Sequence, residues 1–183
     1  MMKPSLQWTL VALAGCMAPT SYVYSPQDAN HRADGYPAAT LLVPPEAPQG
    51  TIELSSFGFV NIRDEHSDRS VLHVRLTVTN DGDVAPWTIV PGEQVVDVPN
   101  EQRSFPMAMK QAPPMDEPVV IEQRERQPLD LYFALPAAVA SEDTLMGFDL
   151  LWQLTTPARQ YSARTQFERH LSTDPSLWSC VNR

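Results

Sequence analysis

Residues 71–80 read Val-Leu-His-Val-Arg-Leu-Thr-Val-Thr-Asn, and this stretch decides the fold class. Apolar and polar residues alternate along it, so that His73 and Arg75 lie on one face and Leu76 on the other. Successive side chains of a β-strand point to opposite faces, and this period of two therefore predicts a half-buried strand. The Asn80-Asp81-Gly82-Asp83 sequence that follows has the composition of a tight turn.

The same alternation recurs along the chain from Thr51 onward. Trp152 lies in the clearest later example, and we expect it and Leu76 in the core, with Arg75 outside. A slip in the first pattern at Ser55-Ser56, followed by Gly58, predicts a β-bulge. Further candidate strands lie at 52–62, 87–90, 94–98, 119–122, 129–135, 146–154 and 161–167. Eight or nine short strands with almost no helix predict an all-β, immunoglobulin-like antiparallel β-sandwich over residues 51–170.

Residues 1–15 have the features of a secretory signal. Lys3 supplies a positive charge, and the apolar run 6–14 is shorter than the roughly 20 helical residues needed to span a membrane. Leu13-Ala14-Gly15 is followed directly by Cys16, which resembles the lipobox of bacterial lipoproteins. The resemblance implies that Cys16 is S-diacylglycerated, becomes the first residue after cleavage and is N-acylated. A plain signal peptide and a buried cysteine are the alternatives.

The segments on either side of the predicted sandwich differ from it in composition. Residues 16–50 contain six prolines, among them Pro44 and Pro45, and this predicts a flexible, partly extended tether behind the lipidated cysteine. The tail 171–183 holds Cys180, the second of two cysteines. If Cys16 is a thioether, Cys180 is either a free thiol in the tail or part of an intermolecular disulfide.

The charge of the chain excludes one class of partner. Its formal net charge is −9, and Lys110 is the only lysine after residue 15. Nucleic acids and anionic lipid surfaces are bound through clustered basic residues, so nucleic-acid binding is not expected. Membrane contact is therefore assigned to the acyl chains on Cys16, which together exceed the two signals needed for stable anchoring.

Motifs for catalysis and for phosphate binding are missing from the sequence. It contains no Gly-x-Ser-x-Gly, no Gly-x-Gly-x-x-Gly, no Walker loop and no His-Glu-x-x-His, so we expect neither an enzyme nor a cofactor. His73, on the outer face of its strand, is expected to be a solvated imidazole.

Two stretches raise the question of a metal ion. Met107, Met109 and Met115 lie in a poorly patterned segment, and thioethers bind Cu(I), but methionines also fill gaps in cores. Hydrophobic packing is the expectation, with a copper site as the alternative. Residues 80–83 offer oxygen ligands but lack the spacing of a calcium loop, so an ordinary turn is expected.

The order of segments also resembles a family. A lipobox and a Pro-rich segment are followed by Ala85-Pro86-Trp87, Leu129-Asp130-Leu131-Tyr132-Phe133 and Arg164-Thr165-x-Phe167-x-Arg169. This order is similar to that of small bacterial envelope lipoproteins of unknown function with an immunoglobulin-like domain. We expect a non-catalytic protein that binds another envelope protein or supports an assembly, with a periplasmic ligand- or copper-binding lipoprotein as the alternative. Because residue 17 is Met rather than Asp, the resemblance implies the outer membrane, facing the periplasm.

Overall fold

The structure, a computed structural model, describes residues 22–63, 68–109 and 114–172. These residues form eleven β-strands and two short 3₁₀ turns, Pro91–Glu93 and Ala137–Val139. The strands are β1 Tyr22–Pro26, β2 His31–Ala33, β3 Tyr36–Val43, β4 Gly50–Arg63, β5 Asp68–Asn80, β6 Trp87–Ile89, β7 Val95–Asp97, β8 Val119–Ile121, β9 Glu125–Phe133, β10 Gly147–Thr155 and β11 Gln160–Leu171. In the described part of the chain no helix is long and apolar enough to cross a membrane. The predicted all-β class is confirmed.

The strands form two antiparallel sheets that pack face to face as a sandwich. Sheet 1 has the order β1-β11-β10-β6-β8, with β7 also pairing with β10. Sheet 2 has the order β2-β3-β4-β5-β9. One hydrophobic cluster contains side chains from both sheets, which places the core between them. The antiparallel sandwich predicted from the alternating stretches is therefore confirmed.

The strands predicted most clearly supply the centre of this core. Leu76 on β5 is fully buried, and Trp152 on β10 is 4% exposed. The indole Nε1 of Trp152 donates a hydrogen bond to Oγ1 of Thr165 at 3.2 Å, so the ring's polar atom is satisfied inside the protein. Trp87 on β6 is 1% exposed and lies against Gly50. The predicted inward positions are thus confirmed.

The predicted bulge is also present. The register between β4 and β5 shifts between Ser56 and Gly58, and Gly58 has φ of +74°, a conformation that side chains disfavour. The ring of Phe57, the extra residue, lies 4.6 Å from that of His73 on β5.

The prediction of a tether over residues 16–50 is wrong for residues 22–50. β1 pairs with β11, and β3 pairs with both β2 and β4, so this segment belongs to both sheets. Asp34 and Gly35, with φ of +50° and +87°, form the two-residue turn of the β2–β3 hairpin. Tyr24 on β1 is fully buried, and its hydroxyl donates to the Leu145 carbonyl at 3.2 Å. Proline content suggested a tether, but Pro26 lies on β1, an edge strand of sheet 1, where a missing N–H is tolerated.

Candidate functional site

A groove of about 370 Å³ opens on the sandwich beside β7, β10 and β11. Its apolar wall includes Val98, Pro99, Val139 and Met146, and its polar lining comprises Thr144, Asp149, Arg164, Gln166 and Glu168. Binding pockets for small molecules are commonly about 300–1,000 Å³, so the groove lies at the small end of that range.

The register of the strands brings the polar side chains together. Asp149 on β10 lies opposite Asp97 of β7 on one side and Gln166 of β11 on the other. Directly opposite residues of an antiparallel pair share a face, so all three point the same way. Gly147 lies opposite Glu168, and a Cβ at 147 would come within 2.6 Å of the Phe167 carbonyl oxygen. Glycine at 147 therefore permits the close approach of β10 to β11 at the groove.

Asp149 is the unusual residue of the groove. Its side chain is only 6% exposed although it lies on the outer face of sheet 1. Oδ2 accepts a hydrogen bond from Nη2 of Arg164, whereas Oδ1 is buried and has no hydrogen-bond partner within residues 22–63, 68–109 and 114–172. A buried carboxylate is costly unless it is paired and its lone pairs are used. Asp149 therefore has capacity for one further donor.

The charges around Asp149 define what could supply that donor. Glu168 lines the groove, and Asp97 lies close enough to Arg164 to raise the pKa of its guanidinium, after the larger effect of Asp149. The Arg164 side chain is 64% exposed and lies at the surface. The charged residues that line the groove are two carboxylates, Asp149 and Glu168, and one guanidinium, whereas Asp97 also lies 3.7 Å from Nε of Arg103. This balance favours a cationic or N–H-donating group over an anion.

A second organised surface lies on the outer face of sheet 2. Four rings follow one another across β3, β4, β5 and β9, from Tyr36 through Phe57 and His73 to Tyr132. The His73 ring is stacked on Phe57 at 4.6 Å and on Tyr132 at 4.5 Å between centroids. Its side chain is 12% exposed, and Nε2 lies 2.8 Å from Oδ1 of Asp130. The predicted solvated imidazole is therefore wrong, because neighbouring strands supply rings that cover both faces of His73.

Asp130 connects this ladder of rings to Arg75. Burial alone would raise the pKa of the Asp130 carboxyl, but hydrogen bonds and positive charge from His73 and Arg75 outweigh it and hold that pKa well below its usual range. The pKa of Tyr132 is raised, mainly by burial and then by the Asp130 charge. The polar groups of this face are thus engaged with one another, which is typical of a structural network.

The candidate copper ligands are attached to different parts of the fold. The Met107 amide donates to the Tyr132 carbonyl of β9 at 2.7 Å, and the Met115 carbonyl accepts from the amide of Gly92, in the first 3₁₀ turn, at 2.7 Å. Met109 is partly buried. Within the described ranges no group of three or more His, Cys, Asp or Glu residues is placed to hold a metal ion. Hydrophobic packing of the three methionines, with a copper site as the alternative, stays a prediction.

Other predicted positions have simple outcomes. Cys16 and Cys180 lie outside the described residues. Asn80, which begins the 80–83 turn, is buried, and its Oδ1 accepts from the Gly82 amide at 3.1 Å. Sequence reasoning missed Asp149, although a lone acidic residue between Phe148 and Leu150 was a signal that could have found it.

No protein-family model and no curated protein matches the chain. Among solved structures, the chain is similar to the X-ray structure of Northeast Structural Genomics Consortium target SoR45, with 8% identity and a TM-score of 0.40. The match covers 69% of this chain and 89% of that one.

Proposed function

We propose that this chain is a non-catalytic, lipid-anchored protein of the bacterial envelope that binds another envelope protein at the Asp149 groove. The observation that carries the proposal is the buried Asp149 carboxylate, whose Oδ1 has no partner in the described part of the chain. A basic side chain of the partner would donate to it, and the surface guanidinium of Arg164 would move aside. Charge complementarity of this kind selects partners and speeds association.

We also infer that the sandwich is immunoglobulin-like. β4, β5 and β9 pair in the order of strands A, B and E of that fold, and β6, β10 and β11 pair in the order of C, F and G. Trp87 on β6 is buried, as is the tryptophan of strand C in that fold, which supports this inference. β1, β2 and β3 are additions before strand A.

The anchor in this proposal is the lipidated Cys16, supported by Leu13-Ala14-Gly15 and the short apolar run before it. Met17 supports sorting to the outer membrane, with the domain in the periplasm. We expect labelled palmitate to enter the wild-type protein and to be absent from Cys16→Ser, which should no longer partition into detergent. Absence of label from the wild type would contradict the anchor, and an exclusively inner-membrane protein would contradict the sorting.

The groove is tested by site-specific photocrosslinking in intact cells. A crosslinking amino acid at Gln166, whose side chain lines the groove, should give a discrete adduct that weakens in Asp149→Asn. Ser162 is a matched control because it is exposed on the same strand but lies opposite Gln153, four residue pairs beyond Gln166. Equal adducts from positions 166 and 162, or an adduct indifferent to Asp149→Asn, would contradict binding at the groove.

A further inference from the structure

Tyr22, the first described residue, is held to the rest of the domain by several contacts. The backbone N–H of Tyr22 donates to the Glu142 carboxylate, and Tyr22 pairs with Leu171 at the end of β11. The guanidinium of Arg169 lies 4.3 Å from the centre of the Tyr22 ring. These contacts fix the first described residue of β1 to the body of the domain.

Exposed apolar side chains surround this point. Leu171 is 62% exposed and Met146 is 68% exposed, two of the six large apolar side chains exposed in the described residues. Arg169 connects Met146 to Tyr22, since its Nη2 lies 2.8 Å from the Met146 sulfur while its guanidinium covers the Tyr22 ring. Tyr22, Met146, Arg169 and Leu171 are called the N-terminal rim below.

The distance from the rim to the anchor is short. Cys16 and Tyr22 are separated by residues 17–21, so their Cα atoms can be at most about 22 Å apart in any conformation. A domain of about 150 residues has a radius of gyration of roughly 15 Å, so its far side is beyond that reach. If Cys16 carries acyl chains in the bilayer, the rim is held close to the membrane and the far side of the sandwich is not, so the side chains of the rim decide whether this end touches the bilayer.

We infer that the N-terminal rim is a membrane-contact surface, a step that rests on the lipid anchor of the proposed function. Tyrosine, arginine and aliphatic side chains together suit the headgroup region, where rings and cationic heads contact polar groups and apolar side chains reach the acyl boundary. The occupant is the surface of the bilayer that holds the Cys16 lipid. The groove shares Met146 with the rim, so a partner bound there also lies near the membrane.

The test uses the mature, lipidated full-length chain in vesicles of phosphatidylethanolamine and phosphatidylglycerol with a nitroxide-headgroup lipid. A fluorophore is placed at the exposed position 170, in a Cys180→Ser background, by His170→Cys. The control label replaces Val84, which is 81% exposed and follows Asn80, the last residue of β5. The rim lies near the other end of β5, because Tyr24 of β1 packs near Phe59, which pairs with Leu72. Residues 72 and 80 are about 26 Å apart along the strand, so the control lies at the opposite end.

We expect quenching and a blue shift at position 170 but not at position 84. Met146→Asp with Leu171→Asp should abolish the quenching at 170 while the protein still floats with the vesicles, and Val120→Asp, at an exposed apolar position on β8, should preserve it. Two results would contradict membrane contact by the rim while leaving the anchor intact, provided that the protein floats. One is equal signals at positions 170 and 84, and the other is quenching that survives the double substitution. Wild-type protein that fails to float would overturn both.

Discussion

Asp130 on β9 holds Arg75 on β5 with both carboxylate oxygens. Oδ1 accepts from Nε of Arg75 at 2.8 Å, and Oδ2 accepts from Nη2 at 3.0 Å. Nη1 reaches Oδ2 of Asp34, in the β2–β3 turn, at 2.5 Å, and the guanidinium lies 4.9 Å from the centre of the Phe57 ring. A two-pronged pair of this kind is stronger and more directional than an ordinary surface ion pair. Arg75 therefore connects the two edge regions of sheet 2 across its outer face.

Replacing Arg75 tests this connection. The alternation of residues 71–80 alone puts Arg75 on the outer face and predicts that Arg75→Ala costs less than about 1 kcal/mol, the usual value of an exposed ion pair. With the contacts of the folded protein we expect about 1–3 kcal/mol, because charged hydrogen bonds to a partly buried carboxylate are lost. Urea denaturation of Arg75→Ala, Asp130→Ala and the double variant should show coupling. Arg124→Ala, whose side chain is 77% exposed, should change stability by less than about 0.5 kcal/mol.

The Asp130 carboxylate should make the free energy of unfolding depend on pH in the acidic range. The pKa of Asp130 is lower in the folded protein than in the unfolded chain, where it is about 3.9. The unfolded chain therefore takes up the proton first as pH falls, so the stabilisation is complete above about pH 4 and declines below it. Denaturation midpoints between pH 5 and 2.5 should fall more steeply for the wild type than for Asp130→Asn. Parallel curves would contradict a native role for the ionised Asp130.

Trp152 tests the core. Trp152→Ala should cost about 3–5 kcal/mol, because a large ring is lost from between the sheets and a cavity remains. Trp152→Phe should cost less, since it retains most of the ring and loses the hydrogen bond to Thr165. Leu42→Ala, at a leucine that is 52% exposed, serves as the control and should have little effect. Equal effects at 152 and 42 in denaturant melts would contradict the inward assignment of Trp152.

Gly50 should tolerate no side chain. A Cβ at this position would lie 2.0 Å from the Thr79 carbonyl oxygen and 2.6 Å from Cη2 of Trp87. Gly50→Ala should therefore move β4 or the indole and cost about 1–3 kcal/mol or more. Near-ultraviolet circular dichroism should report the displaced Trp87. At Gly82 the nearest atom, Oδ1 of Asn80, would lie 3.2 Å from the new Cβ, so we expect a smaller loss from Gly82→Ala.

The side chain of Gln94 hydrogen-bonds to backbone groups in place of a neighbouring strand. It is fully buried between β6 and β7, its Nε2 donates to the Val90 and Gln153 carbonyls, and its Oε1 accepts from the Gln153 amide at 2.9 Å. Gln94→Ala should cost about 1–3 kcal/mol for each buried backbone group left unpaired. Gln94→Glu keeps the size but removes the donor, so it should also destabilise.

A thermal melt with Gln123→Ala, at an exposed glutamine, as the control checks these values. A stable Gln94→Glu protein would show that filling the space, rather than hydrogen bonding, is what matters at position 94.

The local pattern of the sequence was enough for the strands whose two faces meet different surroundings. In residues 71–80 one face packs against the core, so the alternation of apolar and polar residues predicts directly which side chains are buried. Leu76 is buried, as this alternation predicts. The break in the alternation at Ser55-Ser56 likewise predicted the bulge that lies between Ser56 and Gly58. The segment 22–50 was misjudged because its burial comes from pairing with strands distant in sequence. Tyr24 donates to a carbonyl 121 residues away, and no local pattern shows such a partner.

The sequence by itself determined the all-β class, the inward faces of the long strands and the absence of familiar catalytic motifs. Each of these depends on residue type and on spacing within a few positions. The tertiary structure alone decided that His73 is sandwiched between rings, that Asp149 is buried with one oxygen unpartnered among the described residues, and that Tyr22 pairs with Leu171. Those properties depend on which strands become neighbours and in what register. Register is set by the packing of the whole core, because shifting one strand by a single residue would exchange its buried and exposed faces.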